Sequence, residues 1–208
     1  MALTQDRYTY RHDQVLTVLY HALRRKLDDM KSRKARQPVQ TPVRFHRAGQ
    51  RAPRAIRSTR VSMLETANDW RMSCDLSIAG DYAFPITAAV TTRRPDVVLW
   101  SEATKQLVML ELTVPNETRV VNAMQLKQAR YHELANECRA TFKTTVLTAE
   151  VGTRGFLASR TQQALQQLGI WSGKLHSDLS SAALRASYAI YINRNNPVWV
   201  WDAPVQQA

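Results

Sequence analysis

The stretch RPDVVLWSEATKQLVMLELT, residues 94–113, decides the architecture. It holds two apolar runs, Val97-Val98-Leu99-Trp100 and Leu107-Val108-Met109-Leu110, joined by the polar Ser101 to Gln106, and this pattern predicts a β-hairpin. Near-continuous apolarity means burial on both faces, so the hairpin belongs at the centre of a sheet. Asp96 then opens one strand and Glu111 stands near the end of its antiparallel neighbour, which brings two carboxylates to the same end of the sheet. An acid after four apolar residues in a buried strand is costly unless its charge is offset. Paired carboxylates are also the donor set that a hard divalent cation such as Mg²⁺ prefers.

From His12 to about Arg33, Val15, Leu16, Leu19, Ala22, Leu23, Leu27 and Met30 recur at spacings of three and four and predict an amphipathic helix. Trp70, Met72, Cys74, Leu76 and Ile78 alternate with Arg71, Ser73, Asp75 and Ser77, the period of a half-buried strand. Beyond the hairpin, Asn116 to Ala140 carries Val120, Val121, Met124, Tyr131, Leu134 and Cys138 at helical spacing, with Pro115 and Thr118 at its entry. Thr144 to Thr148 reads as a β-branched strand, Gly152 to Gly155 breaks the pattern, and Phe156 to Leu168 forms a third helix. A fourth helix, capped by Ser177, runs to about Asn193, and Val198 to Trp201 is a short extended piece. Helix, three strands, helix, strand and two more helices make one α/β layered domain over residues 1–208.

The 208 residues include 29 Lys and Arg against 17 Asp and Glu, a net charge of +12 that points to a polyanionic partner and away from an ordinary metabolic enzyme. Residues 24–60 hold thirteen basic residues against Asp28 and Asp29, which is +11 of the +12. Within them, a Pro-containing stretch at about 36–60 has few large apolar side chains, the composition of an extended arm. Its Arg44, Arg47, Arg51, Arg54 and Arg57 suit bidentate phosphate contacts; the plain alternative is a solvated linker whose charge only aids solubility. No run approaches the ~18 apolar residues of a membrane span, and no apolar signal core follows Met1, so a soluble intracellular protein with no membrane partner is expected. Cys74 and Cys138 are too few for a disulfide framework and lack zinc-site spacing; they read as reduced, buried small hydrophobes.

Arg94-Pro95-Asp96, fourteen residues, Glu111, then Lys127-x-x-x-Tyr131 resembles the PD-(D/E)XK nucleases, and among them the restriction-like endonuclease domain of site-specific non-LTR retrotransposons. Arg11-His12-Asp13-Gln14-Val15-Leu16 is similar to a segment preceding that domain, and the resemblance spans roughly residues 8–140. It implies a restriction-endonuclease-like mixed central sheet flanked by helices, an αβββαβ core with two extra C-terminal helices. It further implies a nuclease that nicks or cuts DNA with Mg²⁺ or Mn²⁺. Asp96 and Glu111 would be metal ligands, the Leu112 carbonyl would complete the inner shell, Lys127 would be the catalytic lysine, and Tyr131 would orient it. Two features depart from the family pattern. Thr113 stands where the usual Glu-x-Lys has its lysine, so Lys127 on the helix takes that role, as in the retrotransposon variant. No zinc knuckle of Cys and His precedes the domain and no reverse transcriptase accompanies it, which reads as a standalone relative or a fragment of a larger element-encoded protein. A genomic target in a eukaryote calls for a nuclear location, and a homodimer or a larger element-encoded protein is a candidate assembly.

Asp75 and Glu65 are candidate accessory acids, and His12 is a candidate for positioning a water or contacting a phosphate. Arg93 and Arg94 adjoin the carboxylates and suit the scissile backbone. Each residue also has a plainer reading: Asp96 begins a strand after a Pro turn, Glu111 pairs with Arg94 or Lys127, Lys127 is solvated, Tyr131 is core, and His12 packs or caps. Their occurrence together, in order and on compatible elements, favours the site. Two other classes stay open: a catalytically inactive module of the same fold that binds DNA, RNA or branched nucleic acid, and a domain acting through protein contacts in a larger assembly.

Overall fold

In a computed structural model of the chain, residues 7–32, 61–116 and 131–196 are described. The arm with Arg44, Arg47, Arg51, Arg54 and Arg57, the first half of the second long helix with Lys127, and Val198 to Trp201 lie outside the described residues. The elements follow the expected order: α1 (Arg7–Ser32), β1 (Arg71–Cys74), β2 (Val97–Ser101) and β3 (Gln106–Thr113). Then come α2, described over 131–138, β4 (Lys143–Glu150), α3 (Ser159–Leu168) and α4 (Gly173–Ile192). The strands form an open mixed sheet in the order β1-β2-β3-β4, antiparallel through β3 and parallel between β3 and β4. A parallel neighbour needs a crossover, which residues 114–142 supply.

Period-two alternation sorts the hairpin side chains onto two faces, and each face has its own helical layer. Val97 and Leu99 of β2, with Val108, Leu110 and Leu112 of β3, pack against Leu16, Leu19 and Leu23 of α1, Leu165 and Leu168 of α3, and Leu175 and Leu179 of α4. Val98, Leu107 and Met109 point the other way, onto Tyr131, Leu134, Ala135 and Cys138 of α2 and the buried Ala88 and Ala89. The near-continuous apolarity of the two runs is therefore used on both sides, at about 1.5–3 kcal/mol for each large side chain taken from water. Among the described residues no helix is long and apolar enough to cross a membrane.

Element ends differ from the sequence expectation wherever a polar contact sets them. α1 is already helical at Arg7, upstream of His12, and the buried Arg7 donates to the carbonyls of Asn193, Asn196 and Arg194 at 3.1, 2.9 and 3.2 Å. A guanidinium there satisfies carbonyls at the end of α4 that have no helical partner and complements the helix dipole. β1 stops at Cys74, not Ile78: the Asp75 amide donates to the Asp96 carbonyl, and the chain turns through a 3-10 segment, Ser77–Ala79. β4 extends beyond Thr144 and Thr148 to Lys143–Glu150 along its parallel partner. α3 starts at Ser159, leaving Phe156 exposed and Leu157 bridged to Val151. It ends at Gly169, whose φ of +73° suits glycine and where a Cβ would meet the Ser62 side chain at 2.4 Å. α4 is capped by Ser172, whose hydroxyl accepts from the Leu175 amide at 3.1 Å, so Ser177 lies inside the helix.

Candidate active site

The β2–β3 register pairs Val97 with Leu110, which sets Asp96 opposite Glu111 at the end of the hairpin away from its turn. The two residues brace each other. The Asp96 amide donates to Glu111 Oε1 at 3.1 Å, and the Leu112 amide donates to Asp96 Oδ2 at 2.7 Å. Both are buried, Asp96 at 8% and Glu111 at 1% exposure. Backbone donors offset part of the desolvation of each carboxylate, yet two such groups side by side still call for positive charge.

α1 brings one source of that charge. Arg11, buried against β3, donates to the Val114 carbonyl at 3.2 Å and ties the start of the helix to the end of the strand. The next residue, His12, then places Nε2 3.4 Å from Asp96 Oδ2 and Nδ1 3.1 Å from Asp13 Oδ1. Burial alone favours a neutral imidazole, but hydrogen bonds to Asp13 and Asp96 outweigh it and hold the ring protonated, with a pKa of about 9. Beside the pair, His12 is an imidazolium that neutralises one of two negative charges.

On the other face, Tyr131 is fully buried and its hydroxyl donates to the Arg94 carbonyl at 3.1 Å, fixing the turn that delivers Asp96. Arg94 pairs with Asp75 at 2.6 Å and lies over the Tyr82 ring, 4.8 Å from its centroid. Arg93 pairs with Glu133 of α2 at 2.7 Å. Asp75 thus borders the site through Arg94. Glu65 does not come near His12: it pairs with Lys26 at 2.8 Å, fourteen residues along α1 and so about 20 Å away. Lys127 lies outside the described residues.

Cys74 and Cys138 are buried free thiols whose ionisation is pushed up, by burial first and then by neighbouring acids, so neither is a nucleophile. Three residues near this end of the sheet were given no site role in the sequence reading. Asp13 is the partner that helps hold His12 protonated, and Tyr82 has a buried hydroxyl with no hydrogen-bond partner among the described residues. Glu150 ends β4, fully buried, with its carboxyl pKa raised chiefly by burial, which the nearby Thr148 hydroxyl and Arg160 charge offset only in part. Its signal was available in part: Glu150 follows the β-branched strand Thr144 to Thr148 by two residues, in phase with Thr148.

Among the described residues, no three His, Cys, Asp or Glu side chains gather into a group that could hold a metal alone. Asp96 and Glu111 nonetheless fit Mg²⁺ or Mn²⁺: both are hard oxygen donors, buried and adjacent, and Mg²⁺ sites commonly use one or two carboxylates with water filling the remaining positions. The fold and site define an α/β protein with two braced carboxylates at one end of an open mixed sheet. No protein-family model matches the sequence, and comparison with curated proteins finds no match.

Proposed function

We propose that the chain is a divalent-metal-dependent endonuclease of restriction-endonuclease-like fold that hydrolyses DNA phosphodiester bonds, either a relative of the retrotransposon domain or a piece of a larger element-encoded protein. The observation that carries this reading is the reciprocal bracing of Asp96 and Glu111 across β2 and β3, with His12 beside them. Asp96, Glu111 and the Leu112 carbonyl would hold Mg²⁺ or Mn²⁺. When bound, the cation lowers the pKa of a coordinated water and offsets charge on the phosphate. His12, whose two ring nitrogens face Asp13 and Asp96, offsets the charge of the Asp96 carboxylate. Tyr131 holds the Arg94–Pro95 turn, and Arg94 is half exposed next to the pair, able to leave Asp75 for a phosphate. Lys127, four residues before Tyr131 in the sequence, would stabilise charge developing on the attacked phosphate. The arm with Arg44, Arg47, Arg51, Arg54 and Arg57 holds the DNA backbone, and the charge it carries acts without regard to base sequence.

The test is cleavage of supercoiled plasmid and of labelled duplex and branched DNA in Mg²⁺, Mn²⁺ or EDTA, with Glu111→Gln beside the wild type. Glutamine keeps an acceptor for the Asp96 amide, so the strand ends stay in place while the anionic ligand is removed. Metal-dependent cutting that disappears in the variant supports the nuclease. One observation favours a second reading, a catalytically inactive nucleic-acid-binding module: each carboxylate already accepts a backbone hydrogen bond, and His12 already balances Asp96. Salt-sensitive binding without cleavage in any metal selects that reading.

A further inference from the structure

Arg94 is engaged twice without being used up. Its Nη2 donates to Asp75 Oδ1 at 2.6 Å, and its guanidinium lies over the Tyr82 ring, 4.8 Å from the centroid. The side chain is still 56% exposed, and a guanidinium carries more N–H donors than one carboxylate oxygen takes up. Stacking uses the face of the group and hydrogen bonding its edge, so the two contacts do not exclude each other.

The frame around Arg94 is firmly held. The Asp75 amide donates to the Asp96 carbonyl at 2.9 Å, the Ala83 amide next to Tyr82 donates to the Ser73 hydroxyl at 2.9 Å, and the Tyr131 hydroxyl donates to the Arg94 carbonyl at 3.1 Å. Tyr82 packs against the core on the α2 side of the sheet, and its ionisation is pushed up, by burial first, so it is a neutral ring. That ring is a packed platform. Asp75 is different: it is 38% exposed, and a solvated ion pair made through one nitrogen is weak and displaceable. A phosphate presents two oxygens to the edge of a guanidinium and is the stronger partner for it. Arg94 precedes Asp96 by two residues, so a phosphate on that edge is held beside the carboxylate pair.

We propose that Tyr82 is the positioning residue for Arg94 as a phosphate-binding arm, and that Asp75 is the competitor which a nucleic-acid phosphate displaces from that arm. The face of the guanidinium stays on Tyr82 in both states, while its edge passes from Asp75 to the phosphate. Tyr82 thereby spares the long side chain part of the entropy lost on binding. The proposal rests on the nuclease reading for the identity of the phosphate. Its working is measured in EDTA, without any cleavage.

The full chain would be titrated into fluorescein-labelled duplex DNA in EDTA and followed by fluorescence anisotropy, with circular dichroism as the folding control. Asp75→Asn should tighten binding about threefold, and Arg94→Met should weaken it about fivefold. The two are then combined. Displacement predicts that the gain from Asp75→Asn largely disappears in the Arg94→Met background. Plain repulsion between Asp75 and DNA predicts the opposite, because an acid that has lost its partner repels most. A gain as large without Arg94 as with it therefore overturns the proposal, and it leaves standing the nuclease reading, which metal-dependent cleavage tests separately. Tyr82→Leu should weaken binding about threefold only when Arg94 is present, and Tyr82→Phe, which keeps the ring, should restore the loss. Equal affinities of Tyr82→Leu and wild type also overturn the proposal; should Tyr82→Leu not fold, the Asp75→Asn comparison carries the test. No DNA bound by the wild type overturns both.

Discussion

Glu111 is held by geometry as well as by chemistry, and the two separate by substitution. On the nuclease reading, Glu111→Gln should cut the cleavage rate by more than about 100-fold with an unchanged circular dichroism spectrum, since it removes the proposed ligand's charge and keeps an acceptor. Asp96→Ala should do more damage: it strands the buried Leu112 amide, and denaturant unfolding should show a destabilisation of about 1–3 kcal/mol that Asp96→Asn largely avoids. Glu65 behaves as a structural acid. Its carboxyl is held down to about 2, by the Lys26 ammonium first and the Ser62 amide next. A lowered pKa means that its stabilisation is complete above the unfolded value of 4.5 and disappears as pH falls toward 2. Its side chain is 41% exposed, so screening keeps the contribution near 0.5–1 kcal/mol, roughly what Glu65→Gln should cost at pH 7. The wild-type and variant urea midpoints should converge near pH 2, and cleavage at pH 7 should be unaffected.

Helix α1 joins the core to the site. Its apolar face, Leu16, Leu19 and Leu23, lies on the sheet, while Arg7 and Arg11 at its start hold the end of α4 and the end of β3. Arg7→Met removes three hydrogen bonds to carbonyls from a residue only 2% exposed, and of those carbonyls Asn193 keeps the Asn196 amide as a donor. The expected destabilisation is about 2–3 kcal/mol, read as a fall of about 5–10 °C in Tm. Cleavage below the new Tm should persist, because His12 is positioned by Arg11 and not by Arg7.

For the molecule as a whole, the nuclease reading assigns binding and chemistry to different charges. Nearly all of the net +12 lies in residues 24–60, while the carboxylates sit at the end of the sheet. Deleting residues 36–60 should weaken DNA affinity and flatten its dependence on salt, by about 0.9 in the log–log slope for each phosphate that the arm no longer neutralises. Filter binding between 50 and 200 mM salt, a range of about fourfold, measures that slope. A deletion that leaves the slope unchanged returns the arm to a solvated linker.

The element order, the hairpin, the burial of both of its faces and the meeting of Asp96 with Glu111 were legible in the sequence. Each follows from short-range periodicity, and a hairpin with a short turn leaves little choice about which residues end up opposite one another. Only the tertiary structure decided the polar partners. Arg7 and Arg11 look like solvated helix residues until the ends of α4 and β3 arrive beside them. Glu65 looked like a candidate acid until Lys26 met it, and Ser172 displaced Ser177 as the cap of α4 by accepting from the Leu175 amide. His12 reached Asp96 only once α1 lay across the sheet, and Glu150 became a fully buried acid only once β4 lay beside β3. Apolar periodicity records which face of an element is covered; a polar side chain has the same local pattern whether water or a distant carbonyl meets it, so its partner is written in the assembly of elements and not in any one of them.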